Sequence, residues 1–383
     1  MILDHKSLLL KTLGITTLAL ALSFCLQAPF TASVSAIFSS PEKSDFTISD
    51  VYAQIADGRP VRRLEDRIAV VDIGHGGREE IAEALEILSL CGPKTVGLDI
   101  NFMDPTADDS RLLDALQAIP EPVLPVGLDA DGDRFSISDK PFFYDSLPGM
   151  TYGVINLPTA TARSNVREYA VRFPVRQDTL PSFVVALAAK YDPDVLAVLE
   201  SRDNDVETIA YHSKEFRIYS IDEIADHAEE FADKIVLIGA MSDADDMHQT
   251  PISSYMPGLM IHVSALSTLL DREWYSSMPR YTDYLLAFII CFLIVLATIG
   301  IKGGIRGLIV RILQVILAYC AVRIGYSLFV DRHVVCNFSN TLLMIAFGLF
   351  AVDIWNGTSA LINLIGRKIK HSEEIKERNK RKK

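Results

Sequence analysis

Four stretches of apolar residues limit what this chain can become: Leu8 to Ala28, Leu285 to Gly300, Leu308 to Val330 and Phe338 to Trp355. A helix rises 1.5 Å per residue, so about twenty residues cross a hydrocarbon core of about 30 Å. Each stretch is therefore predicted to span a membrane, the shortest of them borrowing flanking residues such as Tyr281 and Tyr284. For the first stretch the alternative is a cleaved signal peptide, with Lys6 and Lys11 as its basic start and Val34-Ser35-Ala36 as its cleavage site. An apolar run longer than a usual signal core, interrupted by Lys11, favours an uncleaved anchor. Either reading puts the segment that follows on the same side.

Basic residues set the orientation. Lys302, Arg306 and Arg311 flank one loop, His5, Lys6 and Lys11 lie at the first span, and the tail from Arg367 to Lys383 holds nine Lys or Arg against three Glu. Positive charge marks the cytoplasmic side. Residues 1–7 and 367–383 are thus predicted to be cytoplasmic and Asp331-Arg332-His333 a short outer loop, with residues 36–280 forming an outer domain between spans at 8–28 and at 284–300, 308–330 and 338–355. The tail is expected to lie against an anionic inner leaflet, where each Lys or Arg is worth about 1 kcal/mol.

The outer segment carries 42 acidic and 21 basic residues, a formal charge of −21 that the basic ends reduce to −12 for the whole chain. Such a surface repels nucleic acid and excludes it as a partner class. Of the five cysteines only Cys91 lies in this segment, so no internal disulfide and no Cys-x-x-Cys zinc site is available to it. Its stability must come from a packed core, which a segment of this size can supply.

The patterning predicts a polar linker from Ser39 to Pro60, with order beginning at Arg67. RIAVVDIG, TVGLDINF and VLPVGLD are apolar runs separated by helix-spaced segments at Glu79 to Leu90 and Asp108 to Ala118. Strands of this kind, alternating with helices, imply a mainly parallel sheet covered on both faces. YGVINLP and EYAVRFPV, joined by Thr159 to Arg167, read as an antiparallel pair, and Pro181 to Lys190 as an apolar helix. ETIAYH and FRIYS read as short strands before a helix from Ile221 to Phe231. KIVLIGAM is the strongest buried-strand candidate, followed by an acidic loop and a helix from Gly258 to Leu270. The fold class predicted is α/β: a three-layer outer domain with a mixed, partly parallel sheet, joined to four transmembrane helices.

KIVLIGA, Asp246 four residues before Thr250-Pro251, and PGLMIHVSALSTLL with Gly258 and His262 resemble the closing part of the type-two CHASE domain, an extracellular sensory domain associated with cyclases and histidine kinases. Earlier pieces fit in order: RIAVVDIG, GPKTVGLDINFMDP with Asp99 and Phe102, GVINLP with Asn156, Arg167 at the head of a strand, and LPSFVVALAAKY. The likeness covers Arg67 to Asp271 and extends to one anchor before the domain and three helices after it. It implies a sensory domain; together with the predicted topology, the function expected is a sensor in a bacterial inner membrane that binds a small ligand or a periplasmic protein, with the resemblance supplying no ligand. Such family members usually continue into an output domain, whereas here a basic tail follows Gly366, so the resemblance implies a receptor subunit that signals to a separate output protein and can pair with a second copy.

Acidic residues at strand ends suggest where chemistry would sit, because open α/β sheets place their ligand crevice there. The candidate ligand residues are Asp72, His75, Asp99, Asp246 and His262, supported by Arg167, Asn156 and Thr250. Their bland readings are loop ordering for Asp246 and Thr250, backbone hydrogen bonding for Asp99, core packing for His262 and an internal ion pair for Arg167. Asp129, Asp243, Asp245 and His248 extend the set toward a metal site or a base, the enzyme alternative. No Gly-x-Ser-x-Gly, His-Glu-x-x-His or phosphate loop is present, and no catalytic residue or cofactor is assigned. A structural membrane scaffold is the third class. In the spans, Arg323 and Gln314 are expected at depth and Asp353 near the inner end; Arg323 and Asp353 are the candidates for carrying a signal through the bundle.

Overall fold

The computed structural model describes residues 5–38, 47–59, 62–107, 109–131, 134–147, 149–158, 164–176, 178–211, 214–300 and 305–381. Asp108, the Thr159–Arg163 part of the polar joint, Lys302 and the last two lysines lie outside these residues. Two compact units emerge, Asp45–Ser276 and a second one made of Met1–Ser44 with Ser277–Lys383.

The chain starts with α1 (His5–Phe38). Of the segment expected to be a linker, residues 39–46 and Pro60 lie outside the described residues, and the part within them forms α2 (Ile48–Asp57), whose Tyr52, Ala53 and Ala56 are buried. Its start is fixed locally, for the Thr47 amide donates to the Asp50 carboxylate at 2.8 Å. After it come β1 (Arg63–Asp72), α3 (Arg78–Cys91), β2 (Thr95–Asp99), α4 (Asp109–Ala118), β3 (Val123–Asp131), β4 (Arg134–Asp139), β5 (Thr151–Val154), β6 (Glu168–Ala170), β7 (Arg172–Val175) and β8 (Asp178–Pro181). The unit continues with α5 (Phe183–Tyr191), α6 (Asp194–Arg202), β9 (Val206–Thr208), β10 (Lys214–Ser220), β11 (Ile235–Gly239) and α7 (Gly258–Leu270).

The main sheet runs β10-β1-β11-β2-β3-β4-β7-β8, with β5 also on β3. From β10 to β3 every pairing is parallel, whereas β3–β4 and β7–β8 are antiparallel, which makes the sheet mixed. Successive strand residues face opposite sides. Ile68, Val70, Ile235 and Leu237 therefore pack under α5 and α7, while Ala69, Val71, Val96, Leu98, Val236 and Ile238 pack under α3 and α4. The three-layer expectation holds. α7 is buried along most of its length, as a helix apolar on all sides should be.

Two local expectations fail for identifiable reasons. YGVINLP and EYAVRFPV do not pair: β5 joins β3 in parallel, and the second run splits into β6, which pairs with β9, and β7. Gly153 decides this, because its missing side chain admits α5; a Cβ there would lie 2.5 Å from the Phe183 Cα. The helix expected over Ile221 to Phe231 is only two 3-10 turns, Ile221–Glu223 and Ala228–Phe231. Like charges four apart, Asp222 with Asp226 and Asp226 with Glu230, disfavour a continuous α-helix. α6 is an element that the patterning does not predict, for it lacks a strong apolar pattern and buries only Val195 and Leu199.

In the second unit, α8 (Arg280–Gly300), α9 (Arg306–Arg332) and α10 (Ser339–Arg381) accompany α1. All four are long and apolar enough to cross a membrane. Asp283, in the first turn of α8, accepts the α10 amides of Asn340 and Thr341, both at 3.1 Å, and the Thr341 hydroxyl at 2.7 Å. Gln314 of α9 is buried and donates to the Ile345 carbonyl. Counting along the antiparallel helices from that contact, Arg323 falls level with the start of α10 and Asp353 with the start of α9. Both are exposed. Gln314 and Asp283, by contrast, make buried polar contacts from one helix to another, and Arg323 lies nearer a helix end than expected. α10 continues through the basic tail to Arg381.

Candidate ligand-binding site

The parallel register aligns Asp72 with Gly239 and Gly239 with Asp99, so both carboxylates leave the sheet on the face covered by α5 and α7. Their roles then diverge. Asp72 accepts the Gly74 and Met241 amides, each at 3.0 Å, and so staples the loop after β1 to the loop after β11. Asp99 does no such work: among the described residues no hydrogen bond reaches its carboxylate, which is half-buried. A Cβ on Gly239 would approach the Asp99 Cβ to 3.2 Å and the Leu259 side chain to 3.2 Å. Glycine there lets the start of α7 close over Asp99.

The acidic loop after β11 supplies the rest. Asp246 accepts the Gly258 amide at 3.1 Å and contacts His248 Nε2 at 3.1 Å, so it occupies the positive end of α7. One turn further, His262 is 7% exposed, and its ring meets Phe183 edge-on at 5.5 Å. Among the described residues its ring nitrogens have no hydrogen-bond partner. Burial pushes the Asp99 carboxyl above its ordinary value; His262 pulls it down, Asp246 pushes it up and His248 pulls it down. These four side chains therefore share one electrostatic neighbourhood at the end of β2.

Other candidates lie elsewhere. His75 is exposed in the loop after β1. Arg167 makes a two-pronged pair with Asp50, Nε to Oδ1 at 2.8 Å and Nη2 to Oδ2 at 2.7 Å, and Asp50 is 1% exposed. Thr250 closes its own loop, its amide donating to the Ser253 carbonyl at 2.8 Å. Asn156 bonds both the amide and the carbonyl of Leu128, at 2.7 and 2.9 Å; with Phe135, Phe173 and Arg172 it also lines a separate cavity of about 540 Å³. Asp50 was missed because it sat in the supposed linker, where its spacing after Thr47 was the available signal. His248, by sequence a metal or base candidate, is the partner of Asp246.

Among the described residues no group of three or more His, Cys, Asp or Glu side chains is placed to hold a metal ion. The cluster offers instead one engaged carboxylate, one unengaged carboxylate and, on a largely buried His262, ring nitrogens that reach its edge without a partner among the described residues. Such groups bind and orient a small polar ligand through hydrogen bonds.

The family model of the CHASE2 domain matches residues 45–299. That is more than half of the chain, which belongs to the CHASE2 domain family. The family is one of extracellular sensory domains, and with four apolar helices the protein is a membrane protein. No curated protein and no solved structure matches it.

Proposed function

We propose that this CHASE2-family protein is a receptor subunit of a bacterial inner membrane, with residues 45–276 outside, both termini in the cytoplasm and its output on a separate protein. The carrying observation is the place of α7. Its first turns hold Asp246, Asp99 and His262 together, and the chain runs from its last turn into α8 through only nine residues, Asp271 to Pro279. A small ligand, or a group on a periplasmic protein, seated at Asp99 and His262 displaces the start of α7 and biases the helices that follow. For a signal to pass, the ligand must bind one arrangement better than the other.

Both tryptophans help to test this. Trp274 lies in the outer unit, its ring 4.9 Å from the Arg202 guanidinium, and Trp355 lies on α10, its ring against Gly14 of α1. A Trp274→Phe chain in nanodiscs leaves Trp355 as the sole emitter, reporting from the membrane helices alone. Small molecules that raise the unfolding temperature of the outer unit should also shift Trp355 emission. Stabilisation with silent Trp355 would reduce the protein to a binder or scaffold, and metal-dependent turnover would make it an enzyme.

A further inference from the structure

Asp246 already fills the anion seat at the positive end of α7, held by the Gly258 amide and His248. A ligand carboxylate or phosphate would have to expel it. What is left over is acceptor capacity: the Asp99 carboxylate, with up to four lone-pair positions, and a ring nitrogen of His262. His262 is more than nine-tenths buried, yet its ring nitrogens, which have no hydrogen-bond partner among the described residues, are not fully buried and stay free to accept from a ligand. Asp99 is half-buried, and its carboxylate oxygens are not among the fully buried atoms left without a partner, so they keep contact with solvent. A ligand must therefore bring donors, and with two carboxylates in the neighbourhood it should bring them with positive charge. The −21 formal charge of the outer segment adds a long-range pull on cations.

Building on the receptor reading above, we infer that the Asp99–His262 site takes a primary ammonium group, the head of a small amine. Three N–H donors on one positive centre match a carboxylate beside an imidazole acceptor. A quaternary ammonium carries the charge without donors, and a dicarboxylate carries the opposite charge. The Asp99 carboxyl, raised by burial, is held in its ionised form by the incoming cation. Binding near the pKa of Asp99 is thus accompanied by release of a proton from it.

The test is calorimetry on the full chain in neutral-lipid nanodiscs with putrescine, n-propylammonium, tetramethylammonium and succinate as probes. The two primary amines should bind, and Asp99→Asn should weaken them at least tenfold while keeping cooperative unfolding. His262→Phe, which keeps a ring against Phe183 but removes the acceptor, should weaken them as well. Heats taken in two buffers of different ionisation enthalpy should show proton release by the parent chain and none by Asp99→Asn. Equal binding of tetramethylammonium, preferred binding of succinate, or amine affinity indifferent to Asp99→Asn would each overturn the assignment. If a ligand of another class binds through Asp99 and shifts Trp355 emission, the ammonium assignment falls and the receptor reading stands. Should no probe or library compound act through Asp99, both fall.

Discussion

Asp246 accepts the amide of Gly258 from twelve residues upstream, and Gly258 leaves its carboxylate no other room: a Cβ there would lie 2.5 Å from both carboxylate oxygens. Because the obstructing atoms end a side chain, Gly258→Ala should push Asp246 off the helix and leave the fold intact. Loss of such a cap costs about 1 kcal/mol. Asp246→Ala should cost about the same, and adding Gly258→Ala to it should cost little more, since the clash is gone. Thermal unfolding of the two single variants and the double variant measures this; additive losses would mean that the two residues do not share one interaction.

For Asp99 the sign of the pH effect follows from its raised carboxyl. A proton is held more tightly folded than unfolded, so this group's contribution to stability is complete below its ordinary value of 3.8 and is lost as pH rises through the folded value. Asp99→Asn should therefore raise the unfolding temperature at pH 7 and lose that advantage toward pH 3. A functional group kept at the expense of stability behaves in this way. An unfolding temperature that falls at pH 7 would show that the carboxylate is satisfied.

The Arg167–Asp50 pair ties α2 to the segment before β6. Asp50 is almost fully buried, and removing one partner of a buried pair costs about 3 to 5 kcal/mol. Arg167→Ala should fall in that range. Arg167→Lys should recover only part of it, because a lysine cannot grip both carboxylate oxygens through a planar fork. Adding Asp50→Asn to Arg167→Ala should restore much of the loss; denaturant titration of the three variants tests the coupling.

At the opposite end of α7 the charges act with the other sign. Arg67 pairs with Glu65 and Asp271, Lys214 pairs with Asp271 at 2.9 Å, and the Ser267 hydroxyl donates to Glu65 at 2.6 Å. Burial alone would raise Glu65 and Asp271, but the hydrogen bonds and cations outweigh it and hold both below their ordinary values of 4.5 and 3.8. Their stabilisation is complete above those values and is lost as pH falls through the lower folded ones. Glu65→Gln should cost about 3 kcal/mol at pH 7 and make the acid limb of the stability curve shallower. An unchanged limb would assign acid unfolding to other carboxylates.

Gly153→Ala is a test of packing alone. Its Cβ would meet backbone, with the Phe183 nitrogen at 2.9 Å and Cα at 2.5 Å, so no side-chain rotation relieves it. A loss of about 3 kcal/mol is expected. A loss under about 1 kcal/mol would mean that α5 shifts freely on the sheet.

Legibility in the sequence tracked the range of the physics. β1, β2, β3 and β11 are buried on both faces, so each shows as an unbroken apolar run, as does the buried α7, while the spans show by length and composition, with much apolar surface outside the protein interior. β5 was misassigned because its partner is chosen by a contact at Gly153 with Phe183, thirty residues away in sequence. α2 was hidden because its buried face includes Asp50, whose partner Arg167 lies beyond any local window. At the site, the residue types at the strand ends were apparent. That Asp72 would be consumed by two amides while Asp99 stayed unbonded depends on the loop geometry near Gly74 and Met241, which no spacing encodes.

α10 runs 43 residues without a break, about 65 Å at 1.5 Å per residue and more than twice a hydrocarbon core of about 30 Å. Sharp bends in helices need a proline or a comparable defect; none of its residues is proline, and its glycines, Gly348, Gly357 and Gly366, stand apart. A shaft without a joint cannot absorb a displacement along its length. Asp283 grips one end at Asn340 and Thr341, which makes that end a fulcrum and the rest a lever arm. A tilt of about five degrees there swings the far end by about 6 Å, more than the rise of a full helical turn.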